Sequence, residues 1–158
     1  MSIQTVTYPW GKITFQVSES FSSAQFDQAN RAWLDYRSGV GTLWVDLMNL
    51  TPPDTQNQFE TLSSVFKSRK RDATAYSVSK LNAGRMLCYS LTRSTEQATE
   101  ITIHRWEIAS LTETRTVQLT IFSFALPSLG ASQSIIAEDI ATLATDLPKA
   151  IISLTGAH

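Results

Sequence analysis

The alternation of hydrophobic and polar residues predicts most of the strands in this chain. Residues 101–109 and 115–126 hold the densest run of β-branched and aromatic side chains, and the polar segment 110–114 can join them as a hairpin. Residues 85–93 precede this pair and place leucine and tyrosine on one side, which extends the pair to three consecutive antiparallel strands. We expect this meander to anchor the fold.

Two earlier parts of the chain also have the character of strands. Residues 12–18 alternate between apolar and polar side chains, as a half-buried strand does. Residues 31–37 and 42–50 are rich in β-prone residues, and the loop 38–41 between them contains two glycines, which predicts a hairpin. For the first half of this hairpin, a helix over 26–34 is the alternative.

Two segments have the spacing of helices. The first, near 52–70, begins with Thr51 as a cap and Pro52 at a position that needs no amide hydrogen, and its apolar residues recur at three- and four-residue intervals. The second, near 134–154, has an isoleucine- and leucine-rich stripe, and Pro148 should kink or restart it.

These elements predict the α+β class, as one α/β sandwich with a mainly antiparallel, twisted sheet of about six strands flanked by helices. With 158 residues, the chain is long enough for one core, so we expect a single domain over 1–158. The strongest core candidates are Phe15, Val45, Leu47, Phe59, Leu62, Phe66, Leu87, Tyr89, Val117, Leu119, Ile121, Ile140 and Leu143.

The charge balance narrows the class of partner. Fourteen acids against 13 bases give a net charge of −1, which argues against a dedicated nucleic-acid binder. One basic cluster, Lys67, Arg69, Lys70 and Arg71, is best explained as the cationic end of a helix. Nucleic acid, acidic lipid or an acidic partner is the alternative explanation of this cluster.

The apolar segments predict no membrane insertion. No stretch approaches 18 apolar residues, and the first ten residues lack a basic region followed by an apolar run. We therefore expect a cytoplasmic protein.

The sequence predicts no catalytic, metal or cofactor site. Its single cysteine, Cys88, lies in an apolar run and should be a buried, inert thiol. No metal-ligand, nucleophile-elbow or phosphate-loop motif is present. The competing hypothesis is a small enzyme or ligand-binding protein with a pocket between sheet and helices, for which the candidates are His104, Asp46 and Tyr89.

Large apolar side chains point instead to a binding protein. Trp10, Trp33, Trp44 and Met48 fall on or near strands whose other side already supplies a core. They predict a surface that holds an apolar or amphipathic segment of a protein partner. If Trp33 and Trp44 both face away from the core, a twofold homodimer would bury them.

The order of the elements resembles the PsbP/DcrB-like α/β sandwich superfamily. Early strands, a hairpin that leads into a helix, a meander and a C-terminal helix follow one another, with Trp106-Glu-Ile108 and Phe122-Ser-Phe124 at positions of the meander where similar proteins have aromatic and aliphatic residues. The resemblance covers most of residues 10–154. Bacterial cytoplasmic members include chaperones that hold apolar segments of type VI secretion effectors, so the resemblance implies a secretion-associated chaperone.

Overall fold

The computed structural model describes residues 3–8, 13–27, 31–37, 39–51, 58–67, 73–81, 84–112, 116–128 and 134–152. These residues form ten strands and two α-helices. The strands are β1 (Ile3–Thr7), β2 (Ile13–Ser18), β3 (Gln25–Phe26), β4 (Ala32–Tyr36), β5 (Gly41–Leu50), β6 (Ala75–Lys80), β7 (Arg85–Glu96), β8 (Thr99–Leu111), β9 (Val117–Pro127) and β10 (Ile151–Ile152). Helix α1 (Gln58–Lys67) follows β5, and helix α2 (Ser134–Asp146) follows β9.

Seven strands form the central sheet, in the order β3-β4-β5-β9-β8-β7-β6, and every neighbouring pair is antiparallel. The long strands β7 and β8 are joined by a tight turn in which Gln97 and Ala98 have φ angles of 50° and 65°. Two left-handed residues in succession match the right-handed twist of the strands that they connect. The predicted meander is therefore present as β7-β8-β9.

Most of the hydrophobic core lies on one side of the central sheet. We call this side the core face; it carries Leu43 and Val45 of β5 and Phe122 and Phe124 of β9. A second antiparallel sheet, of order β1-β2-β10, and helix α2 pack on it. Phe15 of β2 meets Phe122 edge to face, with 5.1 Å between the ring centroids.

The opposite side of the sheet, which we call the outer face, is covered in part by α1. Three apolar residues of α1, at the spacing of one helical stripe, pack on this face: Leu62, Val65 and Phe66. Their contacts on the sheet come from Met86, Cys88, Ala109, Val117, Leu119 and Ile121. Residues 117–124 of β9 are all buried, and α1 covers the outer face of this strand at Val117, Leu119 and Ile121. The register of β9 is continuous with both neighbouring strands.

The structure confirms the α+β sandwich and corrects several details. The described residues alone form ten strands, where about six were predicted. The strand Ala32–Tyr36 excludes the alternative helix over 26–34, and α1 lies inside the predicted 52–70. Helix α2 ends at Asp146; Leu147–Lys149 is a 3₁₀ turn that contains Pro148, and Ile151–Ile152 is a strand rather than a restarted helix.

The core candidates are confirmed in most positions. Leu47, Leu87, Tyr89 and Ile140 are only partly buried, although they pack against the core, and the side chain of Phe59 lies outside the described set. The remaining eight candidates are buried: Phe15, Val45, Leu62, Phe66, Val117, Leu119, Ile121 and Leu143.

Candidate partner-binding face

The β4–β5 hairpin sets the position of the two predicted tryptophans. Trp33 and Trp44 are directly paired across it. Both point to the outer face, because the residues on either side of each tryptophan are buried on the core face and successive side chains of a strand point to opposite faces. The connection uses Gly39, whose φ of 98° suits glycine. A Cβ on Gly41 would lie 2.6 Å from Cδ2 of Leu126, so only glycine lets this hairpin lie so close to β9.

The two tryptophan rings contact each other, and Arg31 packs on one of them. Their ring centroids are 5.5 Å apart, with 41° between the ring planes. The guanidinium of Arg31 lies 4.0 Å from the centroid of Trp44, and Arg31 Nε lies 3.1 Å from Asp46 Oδ1. Because the cation is attracted both by the ring face and by the carboxylate, it holds Trp44 in place while leaving it partly exposed.

The pair belongs to a larger uncovered area of the outer face. The registers place eight residues of four neighbouring strands in two rows; one row is Trp33, Trp44, Ser123 and Arg105, and the other is Asp35, Thr42, Ala125 and Ile103. We call these eight residues the open patch. All are partly exposed except Ser123, which accepts a hydrogen bond of 3.2 Å from Arg105 Nε. None belongs to either hydrophobic core cluster.

The structure brings three of the four predicted binding residues to this face. Trp33 and Trp44 lie in the open patch, and Met48 lies farther along β5, opposite Leu119, with 39% of its surface exposed. Met48 therefore borders the area under α1 rather than the tryptophan pair. Asp46 lies between Met48 and Trp44 on the same face of β5. Trp10 lies outside the described residues, as do Arg69, Lys70 and Arg71 of the basic cluster.

Two of the three candidates of the enzyme hypothesis meet, and the third, Asp46, lies apart from them. Tyr89 and His104 lie on the core face, whereas Asp46 lies on the outer face. Tyr89 Oη is 2.8 Å from His104 Nδ1, and the imidazole is stacked on Trp106. Burial lowers the pKa of His104 and raises the pKa of Tyr89, so both groups are neutral near pH 7.

Within the described part of the chain, no carboxylate contacts this neutral pair, whereas a catalytic histidine is usually oriented by one. Two surface cavities, of about 620 Å³ and 310 Å³, are lined by other residues. Among the described side chains, no group of three His, Cys, Asp or Glu residues could hold a metal ion.

One buried polar cluster was not predicted from the sequence. Tyr36 Oη donates a hydrogen bond to Asp139 Oδ2 on α2, and Arg37 Nη2 lies 3.0 Å from the same oxygen. Arg37 Nε also donates to Tyr36 Oη at 3.0 Å. Asp139 follows Ile136 by three residues and precedes Leu143 by four, so its place on the apolar stripe was the signal that could have revealed it.

No described helix is both long enough and apolar enough to cross a bilayer.

Comparisons with known proteins show the fold. No family model matches the sequence, and no curated protein matches it significantly. A crystal structure from Bacteroides thetaiotaomicron is similar over 99% of this chain, with a TM-score of 0.63 and 13% identity, and this chain spans 50% of its length. A point mutant of Mog1 has a TM-score of 0.59 and 16% identity, with 98% of both chains covered.

The third similar structure is LpqN, described as involved in cell envelope biogenesis of Mycobacterium tuberculosis. Its TM-score is 0.50 and its identity 9%, over 88% of this chain and 87% of LpqN. Together with the two sheets and two helices of the described residues, these likenesses show that the chain has an α/β sandwich fold similar to those of Mog1 and LpqN.

Proposed function

We propose that this chain is a non-catalytic binding protein whose open patch holds an apolar or amphipathic segment of a partner protein. The observation that carries the proposal is the Trp33–Trp44 pair, which Arg31 holds in place on a part of the sheet that the hydrophobic core does not need. Tryptophan and arginine are the side chains that most often dominate the binding energy of protein interfaces.

The dimensions of the open patch support a helical segment as its occupant. Four strands at about 4.8 Å spacing give a platform about 14 Å across, and an α-helix with its side chains is about 10 Å wide. Helix α1 already packs its apolar side on the outer face of the same sheet, beside the patch. A partner helix with one apolar side would therefore extend the layer that α1 begins.

The more specific form of the proposal is a cytoplasmic, secretion-associated chaperone, as in the type VI secretion proteins that the order of elements resembles. Such a chaperone shields an apolar segment from water until the segment is delivered. The open patch supports this role because the Trp33–Trp44 pair offers a partly exposed aromatic contact area.

Co-purification from the native host, followed by mass spectrometry, tests the proposal. The wild-type chain should recover a partner that Trp33→Ala combined with Trp44→Ala does not recover. The identified partner segment, made as a synthetic peptide, should then bind the purified wild-type chain and bind the double variant at least tenfold more weakly. Ile3→Ala, on exposed strand β1, is the matched control. Recovery of the wild-type chain alone at every salt concentration would contradict the proposal.

The alternative, a small enzyme or ligand-binding protein, has one observation in its favour. The contact between Tyr89 and His104 joins two titratable groups inside the core. On this alternative, His104→Gln would abolish binding of a small ligand. On the main proposal, the same variant binds the partner segment as the wild-type chain does.

A further inference from the structure

We propose that the open patch pairs with the open patch of a second copy of this chain whenever no partner segment covers it. The dimer would regulate access to the open patch. It rests on the proposed function only in that the partner segment is taken to compete with the second copy. The homodimer itself depends on the arrangement of charges around Trp44.

Two charged side chains lie at opposite corners of the open patch. Asp35 is on β4 and Arg105 on β8, so three strand spacings, about 14 Å, separate them across the sheet, and two residues, about 7 Å, along it. Both are partly exposed, and neither forms an ion pair within the described part of the chain. At a separation of about 16 Å they cannot neutralise each other in one copy.

A twofold axis can match these charges between two copies. Closed dimers use the same surface twice, so a contact from one residue to another is made a second time in reverse. Consider two copies whose open patches face each other, with the twofold axis parallel to both sheets and halfway between them. If the axis runs above Trp44 and Ala125, it passes midway between Asp35 and Arg105. Each Asp35 then faces the Arg105 of the other copy.

The next row along these strands carries an ion pair that is already complete within one copy. Arg31 and Asp46 neutralise each other there, so this row needs no charge from the other copy. Sheets pack about 10 Å apart face to face, a distance that an extended arginine and an aspartate span together. The two Trp44 rings meet at the axis.

This arrangement has the usual anatomy of a specific interface, with aromatic side chains at the centre and charged pairs at the rim. The apolar centre supplies the affinity, and the charges set the orientation. Because the partner segment and the second copy need the same surface, binding of the segment would separate the dimer.

Sedimentation of the full chain at micromolar concentration tests the inference. The wild-type chain should be a dimer and Trp44→Glu a monomer, whereas Ile3→Glu, a change of the same kind on β1, should leave the dimer intact. Arg105→Asp and Asp35→Arg should each weaken the dimer by about tenfold or more, since each places like charges opposite each other. The double variant should restore it.

Rescue by the double variant is the decisive readout, because the two positions are too far apart to contact each other within one copy. A wild-type monomer, an unchanged dimer in Trp44→Glu, or a double variant no better than the single ones would each overturn the inference. These outcomes leave the partner segment untested, so titration of the monomer with that peptide separates failure of the dimer from failure of the proposed function.

Discussion

Asp139 lies on α2 with only 2% of its surface exposed, and two side chains of the β4–β5 hairpin compensate its charge. A buried carboxylate is stable only when it is paired and hydrogen-bonded, and here Tyr36 and Arg37 supply both. Burial, and then the hydrogen bond to Asp139, raise the pKa of Tyr36 to about 12, so the phenol remains a donor. At the scale of single residues, this cluster adds a polar link between α2 and the β4–β5 hairpin to the apolar packing of Ile136 and Leu143.

Replacing Asp139 with alanine should therefore destabilise the protein. Tyr36 would lose its acceptor and Arg37 its counter-charge, which costs about 1–3 kcal/mol in the free energy of unfolding. Arg37 is one-third exposed, so water offsets part of the loss. Denaturant titration measures the change, and Glu138→Ala, on the exposed side of α2, is the control. Equal stability of the two variants would contradict the role of the cluster.

The stability of the protein should also fall in mild acid because of His104. Its pKa in the folded state is lowered by burial from 6.5, so the unfolded state binds more protons at pH values between the two pKa values. Stability is then full above about pH 6.5 and falls as the pH falls toward the folded pKa. Denaturant titrations above and below this pH should show a smaller loss for His104→Gln than for the wild-type chain. An equal loss in both proteins would assign the acid sensitivity to other groups.

At the scale of elements, α1 is joined to the sheet by a narrow apolar stripe. Phe66 of α1 and Leu119 of β9 are both fully buried in this contact. The hydrogen bond of 3.2 Å from Tyr76 Oη to the carbonyl of Phe66 adds a link from β6 to the C-terminal turn of the helix. The position of α1 decides which half of the outer face is covered and which half stays open.

Truncation of either side chain should be costly. Phe66→Ala and Leu119→Ala should each lower the free energy of unfolding by about 2–5 kcal/mol, because each removes buried apolar surface and leaves a cavity. Thermal unfolding followed by circular dichroism measures the effect, with the exposed neighbour Lys67→Ala as the control. An unchanged melting temperature in both truncated variants would remove the core assignment.

At the scale of the whole molecule, one sheet supports two hydrophobic clusters of different size. The core face is covered by a second sheet and α2, whereas the outer face is covered by α1 alone within the described part of the chain. This asymmetry creates the open patch. The fold itself does not assign a function, since folds of this kind carry unrelated activities, so the proposal depends on the patch and not on the structural likeness.

The sequence by itself determined the elements whose pattern is local. The alternation along β2 and β5 and the stripe of α1 are readable from side-chain spacing, because each of these elements buries one regular face. The long strands β8 and β9 of the meander are readable from their runs of β-branched and aromatic residues. The same spacing placed Trp44 on the side of β5 away from Leu43 and Val45, whereas the side of Trp33 was decided by its pairing with Trp44.

Only the tertiary structure decided the features that depend on pairing between distant segments. β3 and β10 have two residues each, too few for a periodic signal, and they exist because neighbouring strands offer hydrogen bonds. His104 and Asp46 were separated onto opposite faces by strand order, and Asp139 was buried by its partners on β4 and in the turn. Spacing along one strand or helix contains no information about which remote surface will cover it, and that cover decides which half of the outer face remains open.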